Sequence, residues 1–206
     1  MSFTILAAFV VTCFILAITP GPNMALIIAN TLRGGLHAGL ATLAGTTTGL
    51  GILVTIASLG MSSIMSLMAN WFDVVRWCGA LYLAFLGARQ LWAAWRSPPT
   101  AMPQPPGPSA SLYMQGMLVS LSNPKTLLFL GAFLPQFVDP SAPALSQLVL
   151  LAVLFVAILA VVDLVYTVGI ARARTSLDPR RFRMLDGISG VLLLAGGLVL
   201  ASTRRS

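Results

Sequence analysis

The sequence predicts an all-α integral membrane protein whose six transmembrane helices form two inverted three-helix repeats. Three observations lead there. Of 206 residues, 57% are hydrophobic and only 8% are charged, and mean hydropathy is +0.92. Soluble domains carry roughly 25% charged residues, so this chain lacks the polar residues to cover a water-facing surface. Six segments, 3–28, 37–60, 74–95, 112–135, 146–171 and 184–202, are apolar over the length needed for a span; about 20 residues cross ~30 Å of hydrocarbon. A proline-rich stretch then divides them three and three, giving one membrane domain over 1–206 with halves of about 1–96 and 112–206 and a linker at 97–111.

The first segment opens "MSFTILAAFVV", with no basic leader region and no small-residue cleavage pattern, and reads as an uncleaved spanning helix. It runs into "TPGPN". A helical proline removes one donor and clashes with the preceding turn, costing ~3 kcal/mol in water. In lipid the freed carbonyls find no water, so the break persists only where protein or a wet cavity receives them. Pro20, Gly21 and Pro22 fall within one turn and predict unwinding rather than a bend. Loose carbonyls, a restarted helix end and the Asn23 amide then face a polar ligand, and the restarted end suits a carboxylate. A simple kink or packing notch is the competing reading.

The second segment, "GLATLAGTTTGLGILVTIASLG", puts Gly45 and Gly49 on one face, where another backbone can approach closely. The third, "WCGALYLAFLGA", ends near Trp92 and Trp95, which fit an interfacial aromatic belt. The linker "RSPPTAMPQPPGPSAS" is extended and solvated, because repeated proline forbids a helix. The fourth segment carries Asn123-Pro124-Lys125, a proline break beside asparagine like that of the first. Lys125 is the only lysine. Near mid-membrane it costs ~2.5–3.5 kcal/mol and needs a partner or a wet pocket, unless it snorkels to the interface.

In the fifth segment Asp163 is the only charge between Pro140 and Ala171, with Lys125, Arg76 and Arg89 as candidate partners and Tyr166 on the same face. Its readings are a proton or cation relay, an acceptor for a substrate amino group, or a static ion pair. The sixth segment, "LDGISGVLLLAG", matches the third weakly: Gly79 aligns with Gly187 and Ala88 with Gly196. Asp186 at its start is an interfacial charge.

Charge distribution sets orientation and excludes other partners. The arginines sit mainly in loops one, three and five, which places odd loops in the cytoplasm and both termini outside. The two halves therefore enter from opposite faces, the inverted-repeat plan of many secondary transporters. The high pI, about 10.8, is a topology signal; no separate basic domain exists for nucleic acid. Cys13 and Cys78 lack the spacing of a disulfide framework or metal site, and no cofactor is expected.

Two other classes compete. "GISG" at 187–190 contains the GxSG pattern of intramembrane serine proteases around Ser189, but the only histidine, His37, is not in a clear intramembrane position to serve as base. No glutamate and no HExxH occur, which removes the usual zinc-peptidase arrangement. A passive channel would show charge rings or a filter motif. A structural subunit would need neither the intramembrane lysine nor the aspartate. The chain reads as a transporter and not an enzyme.

"PGPN" closing the first segment, the glycine-rich second, "GALYLAFLGA" in the third and "NPK" in the fourth together resemble the LysE/RhtB amino-acid exporters across nearly the whole chain. The resemblance implies a bacterial inner-membrane protein that exports amino acids or close derivatives, driven by ion gradients. It singles out Pro20, Gly21, Pro22, Asn23, Asn123, Pro124 and Lys125 as substrate or pathway positions; Asp163 and Tyr166 join them on physical grounds. The expected partners are the lipid bilayer, an amino acid and a coupling ion, with a proton preferred. Small-residue faces are compatible with a homodimer. A dibasic substrate would want more buried acid than five aspartates supply, so neutral or hydroxylated amino acids are favoured.

Overall fold

A computed structural model describes residues 2–19, 21–59, 107–139, 141–176 and 179–202, together with 77, 80–82, 84–89, 91, 92 and 95 of the third apolar segment. Pro20, Arg76, Cys78, Gly79 and most of the linker lie outside the described residues. Among those described, regular structure is entirely helical.

Helix α1 (Phe3–Ile18) starts at Ser2, whose Oγ accepts from the Ile5 amide at 3.3 Å. It stops at Thr19, where the backbone turns extended, and the chain restarts as α2 (Pro22–Leu59). That stretch is not one rod. Gly35 adopts φ 71° and ψ −162°, a conformation that residues with a Cβ rarely take. The Asn30 amide donates to Thr42 Oγ1 at 2.9 Å, whereas twelve residues of straight helix would separate them by about 18 Å. The chain therefore folds back at Gly35 into two arms, 22–34 and 36–59. The second arm covers the residues of the second apolar segment.

Helix α3 (Ser109–Leu121) ends at Ser122, and α4 (Pro124–Leu128) restarts at once. Helix α4 widens into a π turn at Phe129–Phe133 and tightens into a 3₁₀ turn at Leu134–Phe137. Helix α5 (Ala144–Ala173) and α6 (Pro179–Ser202) complete the chain. By length and apolarity alone, Ala144–Ser176 qualifies as a membrane-crossing helix, as does the Pro22–Ser58 stretch despite its reversal at Gly35; Phe3–Ile18, Ala80–Arg89 and Gly187–Gly196 are shorter apolar helices. The first and fourth apolar segments do not form long continuous helices, because the proline motifs interrupt them.

Polarity is distributed inside-out. Leu198, Val165 and Phe3 are 70%, 66% and 85% exposed, while Thr31, Thr42 and Ser120 are 0% exposed. An outer surface that apolar is the mark of a protein that contacts lipid or other apolar partners. Inside, hydroxyls back-bond to their own helix: Thr31 Oγ1 donates to the Ile27 carbonyl at 2.6 Å and Thr42 Oγ1 to that of Ala38 at 2.9 Å. The apolar core joins α1, α2, α4 and α5 through Phe9, Leu50, Phe129, Leu151 and Phe155. Phe129 stacks on Phe155 at 4.7 Å, and Phe9 meets Phe137 edge-on at 5.1 Å.

Close helix crossings depend on missing side chains. A Cβ at Gly45 would run into the Tyr113 carbonyl, and one at Gly49 would lie 2.7 Å from the Met117 oxygen. Reciprocally, a Cβ at Gly116 would strike the Thr42 carbonyl. The Gly45/Gly49 face is thus the seat of α3. At the far ends, Arg174 Nη2 donates to the Arg33 carbonyl at 3.3 Å, tying the end of α5 to the Gly35 turn. The turn before α5 is held by Gln147, whose Oε1 accepts from the Asp139 amide at 2.9 Å and whose Nε2 donates to the Asp139 carbonyl at 3.0 Å. There the Ser141 hydroxyl and amide both donate to the Asp139 carboxylate, at 2.6 and 3.0 Å, and hold it below the usual carboxylate range.

These crossings carry a prediction. Gly45→Ala and Gly116→Ala each force backbone apart and should cost on the order of 1–3 kcal/mol, read as a lower melting temperature in detergent. Gly51→Ala, where an added Cβ meets nothing within 4 Å, should leave the melting temperature unchanged or slightly raised.

Candidate functional site

The site is built where two helices are interrupted. In an unbroken helix the Leu16 carbonyl would accept from the amide of residue 20, and the Ile18 carbonyl from that of residue 22. Both positions are proline and have no N–H to give. Helix α1 accordingly closes with the Thr19 amide on the Ile15 carbonyl at 3.1 Å. The Gly21 carbonyl then accepts from the Ala25 amide at 2.9 Å, which starts α2 with Pro22 in its first position. Proline is favoured there, since that N–H would be unpaired anyway.

The second interruption repeats the construction. The Asn123 carbonyl accepts from the Leu127 amide at 3.0 Å, and its Oδ1 caps the Lys125 amide at 3.1 Å. Pro124 takes the first helical position. Each break is therefore a capping residue, a proline, then a polar residue: Gly21-Pro22-Asn23 in one and Asn123-Pro124-Lys125 in the other.

The two polar residues cross over. Lys125 Nζ donates to the Leu16 and Thr19 carbonyls at 2.9 and 2.8 Å, reaching the end of α1. Asn23 Nδ2 donates to Ser120 Oγ at 3.3 Å, reaching the end of α3. Gly21 leaves room for this exchange, because a Cβ there would sit 3.3 Å from Lys125 Cε and Nζ. Pro22 is packed in turn by α6, where a Cβ at Gly196 would lie 3.1 Å from its Cγ.

Asp163 on α5 is the acid whose charge acts on Lys125, acting through space rather than through a direct ion pair. Its main-chain carbonyl accepts from Thr167 Oγ1 at 2.7 Å. Of its other candidate partners, Arg89 is placed over the Phe85 ring at 5.9 Å, and Arg76 lies outside the described residues. Tyr166 packs against the apolar cluster around Phe129 and Phe155. The breaks thus bring together Gly21, Pro22, Asn23, Asn123 and Lys125, with Asp163 within electrostatic reach. Of Pro124 the structure places the backbone, and Pro20 falls outside the described residues.

Four participants escape a sequence reading. Ser120 is a plain helical serine until Asn23 is seen to bond it. The Leu16 and Thr19 carbonyls are backbone groups without a side-chain signature, although the proline at position 20 marks the first as orphaned. Thr126, 1% exposed, has an unpartnered Oγ1, and the buried Asn23 Oδ1 is also unpartnered. Buried polar atoms of this kind cost about 1–3 kcal/mol each when left unpaired. They are the groups of this region with hydrogen-bonding capacity to spare.

The protease reading finds no geometry. Ser189 is buried beside Gly190 at the crossing of α6 with Gly87, whereas His37 is exposed next to the Gly35 turn.

Comparison with known proteins agrees with a transporter. The homoserine/homoserine lactone efflux protein of Salmonella typhimurium is 30% identical over 211 aligned positions, covering 100% of both chains. An uncharacterized membrane protein of Vibrio cholerae is 29% identical over 206 positions, 99% of this chain and 100% of its own. The leucine efflux protein of Salmonella choleraesuis is 31% identical over 135 positions, 66% of this chain and 64% of its own. No solved structure matches the chain. The family model described as "LysE type translocator" matches residues 14–204. Nearly the whole sequence is spanned by that match, and the chain belongs to the LysE family of membrane translocators, which are transporters rather than enzymes.

Proposed function

We propose that the protein exports amino acids from the bacterial cytoplasm, and that the paired helix breaks line the path. The observation that carries this is the exchange at the breaks, Lys125 to the end of α1 and Asn23 to the end of α3. A membrane protein that interrupts two helices and turns their polar groups towards each other has built an internal polar site. Family membership supports amino-acid efflux, since relatives are named for homoserine and leucine export.

A zwitterion needs an acceptor for its ammonium and donors for its carboxylate. Asp163 and the free Asn23 Oδ1 are suited to the ammonium. The positive start of α2 is suited to the carboxylate. The spare Thr126 hydroxyl can serve a substrate hydroxyl, which favours neutral or hydroxylated amino acids. With one acid within reach of Lys125, a dibasic side chain would have no counter-charge.

In this reading the chain crosses the bilayer six times as a single domain of two inverted halves, and alternating access moves one half against the other, driven by an ion gradient with a proton as the coupling ion. Odd loops lie in the cytoplasm and both termini outside. The Arg174 bond to the Gly35 turn supports loops one and five sharing one face, as the odd-loop pattern requires.

Two outcomes test the reading. In cells loaded with amino acids by dipeptide feeding, the wild-type chain should release a narrow set of neutral or hydroxylated amino acids. Asp163→Asn and Asn23→Ala, at matched membrane levels, should lower that release about tenfold or more, the scale of removing one charged or polar hydrogen-bonding group from a buried site. Release equal to an empty-vector control across the full panel would remove amino-acid export. For orientation, Ser141→Cys in a background without Cys13 and Cys78 should react with an impermeant maleimide in intact cells. Thr175→Cys should react only after the membrane is opened. The reverse pattern would invert the topology.

A further inference from the structure

We propose that the Lys125 ammonium occupies a monovalent-cation site and replaces a bound alkali ion, so that the carrier's resident cation is covalently part of the chain. The inference names the ion chemistry of the site proposed above and rests on that reading for its meaning in transport.

The ligand set is that of a cation site. Two main-chain oxygens, of Leu16 and Thr19, converge on one nitrogen at 2.9 and 2.8 Å. Leu16 belongs to the last turn of α1, where the helix dipole is negative and its carbonyl has lost its donor to the proline at position 20, and Thr19 is the extended residue that follows the helix. Unwound carbonyls at the C-terminal end of a half-helix are a recurring means of holding sodium in membrane carriers. Asp163 is the acid whose charge reaches the same ammonium, without ion-pair contact. Hard monovalent cations and ammonium share these oxygen preferences.

The occupant, however, is tethered. Gly21 gives the lysine stem its passage, with any Cβ at 3.3 Å from both Cε and Nζ. Lysine is suited to the task in a way arginine is not: its charge is compact and point-like, whereas a guanidinium is a wide planar fork. With the ammonium in place, a sodium ion at the same oxygens would put two positive charges against one acid. The site therefore excludes alkali ions as long as Lys125 stays in it.

The proposal is tested by ion-dependent stability, a readout that does not require transport. Purified protein in detergent would be melted in the chlorides of sodium, potassium, ammonium and choline at equal ionic strength. Wild type should melt at one temperature in all four. Lys125→Ala should melt lower in choline and regain on the order of 3 °C in at least one small cation, by mass action on the vacated oxygens. Lys125→Met, which refills the stem without the charge, should be indifferent to the cation.

An alanine variant that ignores every cation would overturn the proposal, as would a wild-type protein stabilised by sodium. Should the alanine variant not fold, binding of radioactive sodium to wild type decides: saturable uptake overturns the proposal, and none is expected. The two readings also fail separately. A cation response in Lys125→Ala together with no amino-acid release by wild type would sink export and keep the cation site. Normal release with a cation-blind alanine variant would do the opposite.

Discussion

The carbonyls at the end of α1 need a donor, and Lys125 supplies it. In water, a helix stopped by Pro-Gly-Pro would hydrate its last turn. In hydrocarbon that turn must be satisfied by protein, at several kcal/mol for each group left bare. Lys125 meets the same requirement from the other side, as a half-buried ammonium that needs acceptors for its donors. Two costs of similar size thus offset one another in a single pairing, at 2.9 and 2.8 Å. The position of α4 against α1 follows from it, and a side chain at position 21 would crowd the lysine tip.

The rest of the architecture keeps that pairing in register. The fold-back at Gly35 returns α2 along itself, so that its second arm can take α3 into the notch at Gly45 and Gly49. That seats Ser120 where Asn23 reaches it. The phenylalanine stack of Phe129 on Phe155 fixes the irregular turns after α4 against α5, the helix that carries Asp163. Buried hydroxyls and small residues share the interior with leucine and phenylalanine while further leucine, valine and phenylalanine side chains are exposed on the outside, because in a bilayer the interior is sorted by packing and hydrogen bonding rather than by hydrophobicity.

Much of this is legible in the residues, and the limits have physical causes. Helical class follows from apolar length. The interruptions at Pro20–Pro22 and at Pro124 follow from proline's missing donor, and the α3 seat follows from Gly45 and Gly49. Other features depend on chain partners that no local pattern encodes. Lys125 has three plausible kinds of neighbour by sequence, and its actual acceptors are main-chain oxygens that every residue type possesses. Arg89 is a candidate partner of Asp163 by sequence, yet the structure gives it to the Phe85 ring. Tyr166 shares a helix with Asp163, but the aromatic cluster takes its side chain. The reversal at Gly35 is legible only as a loop between two spans, because whether a glycine pair bends or reverses a chain depends on what packs across it.

The bond between Lys125 and α1 also dictates an order of events during synthesis. Its partners lie 109 and 106 residues apart in the chain. At roughly 5–20 residues per second, the broken end of the first segment waits about 5–20 seconds before its donor has even been made. Until then the carbonyls lack the donor that holds them in the finished structure. The pairing of the two breaks is therefore completed only once the carboxy-terminal half has been made.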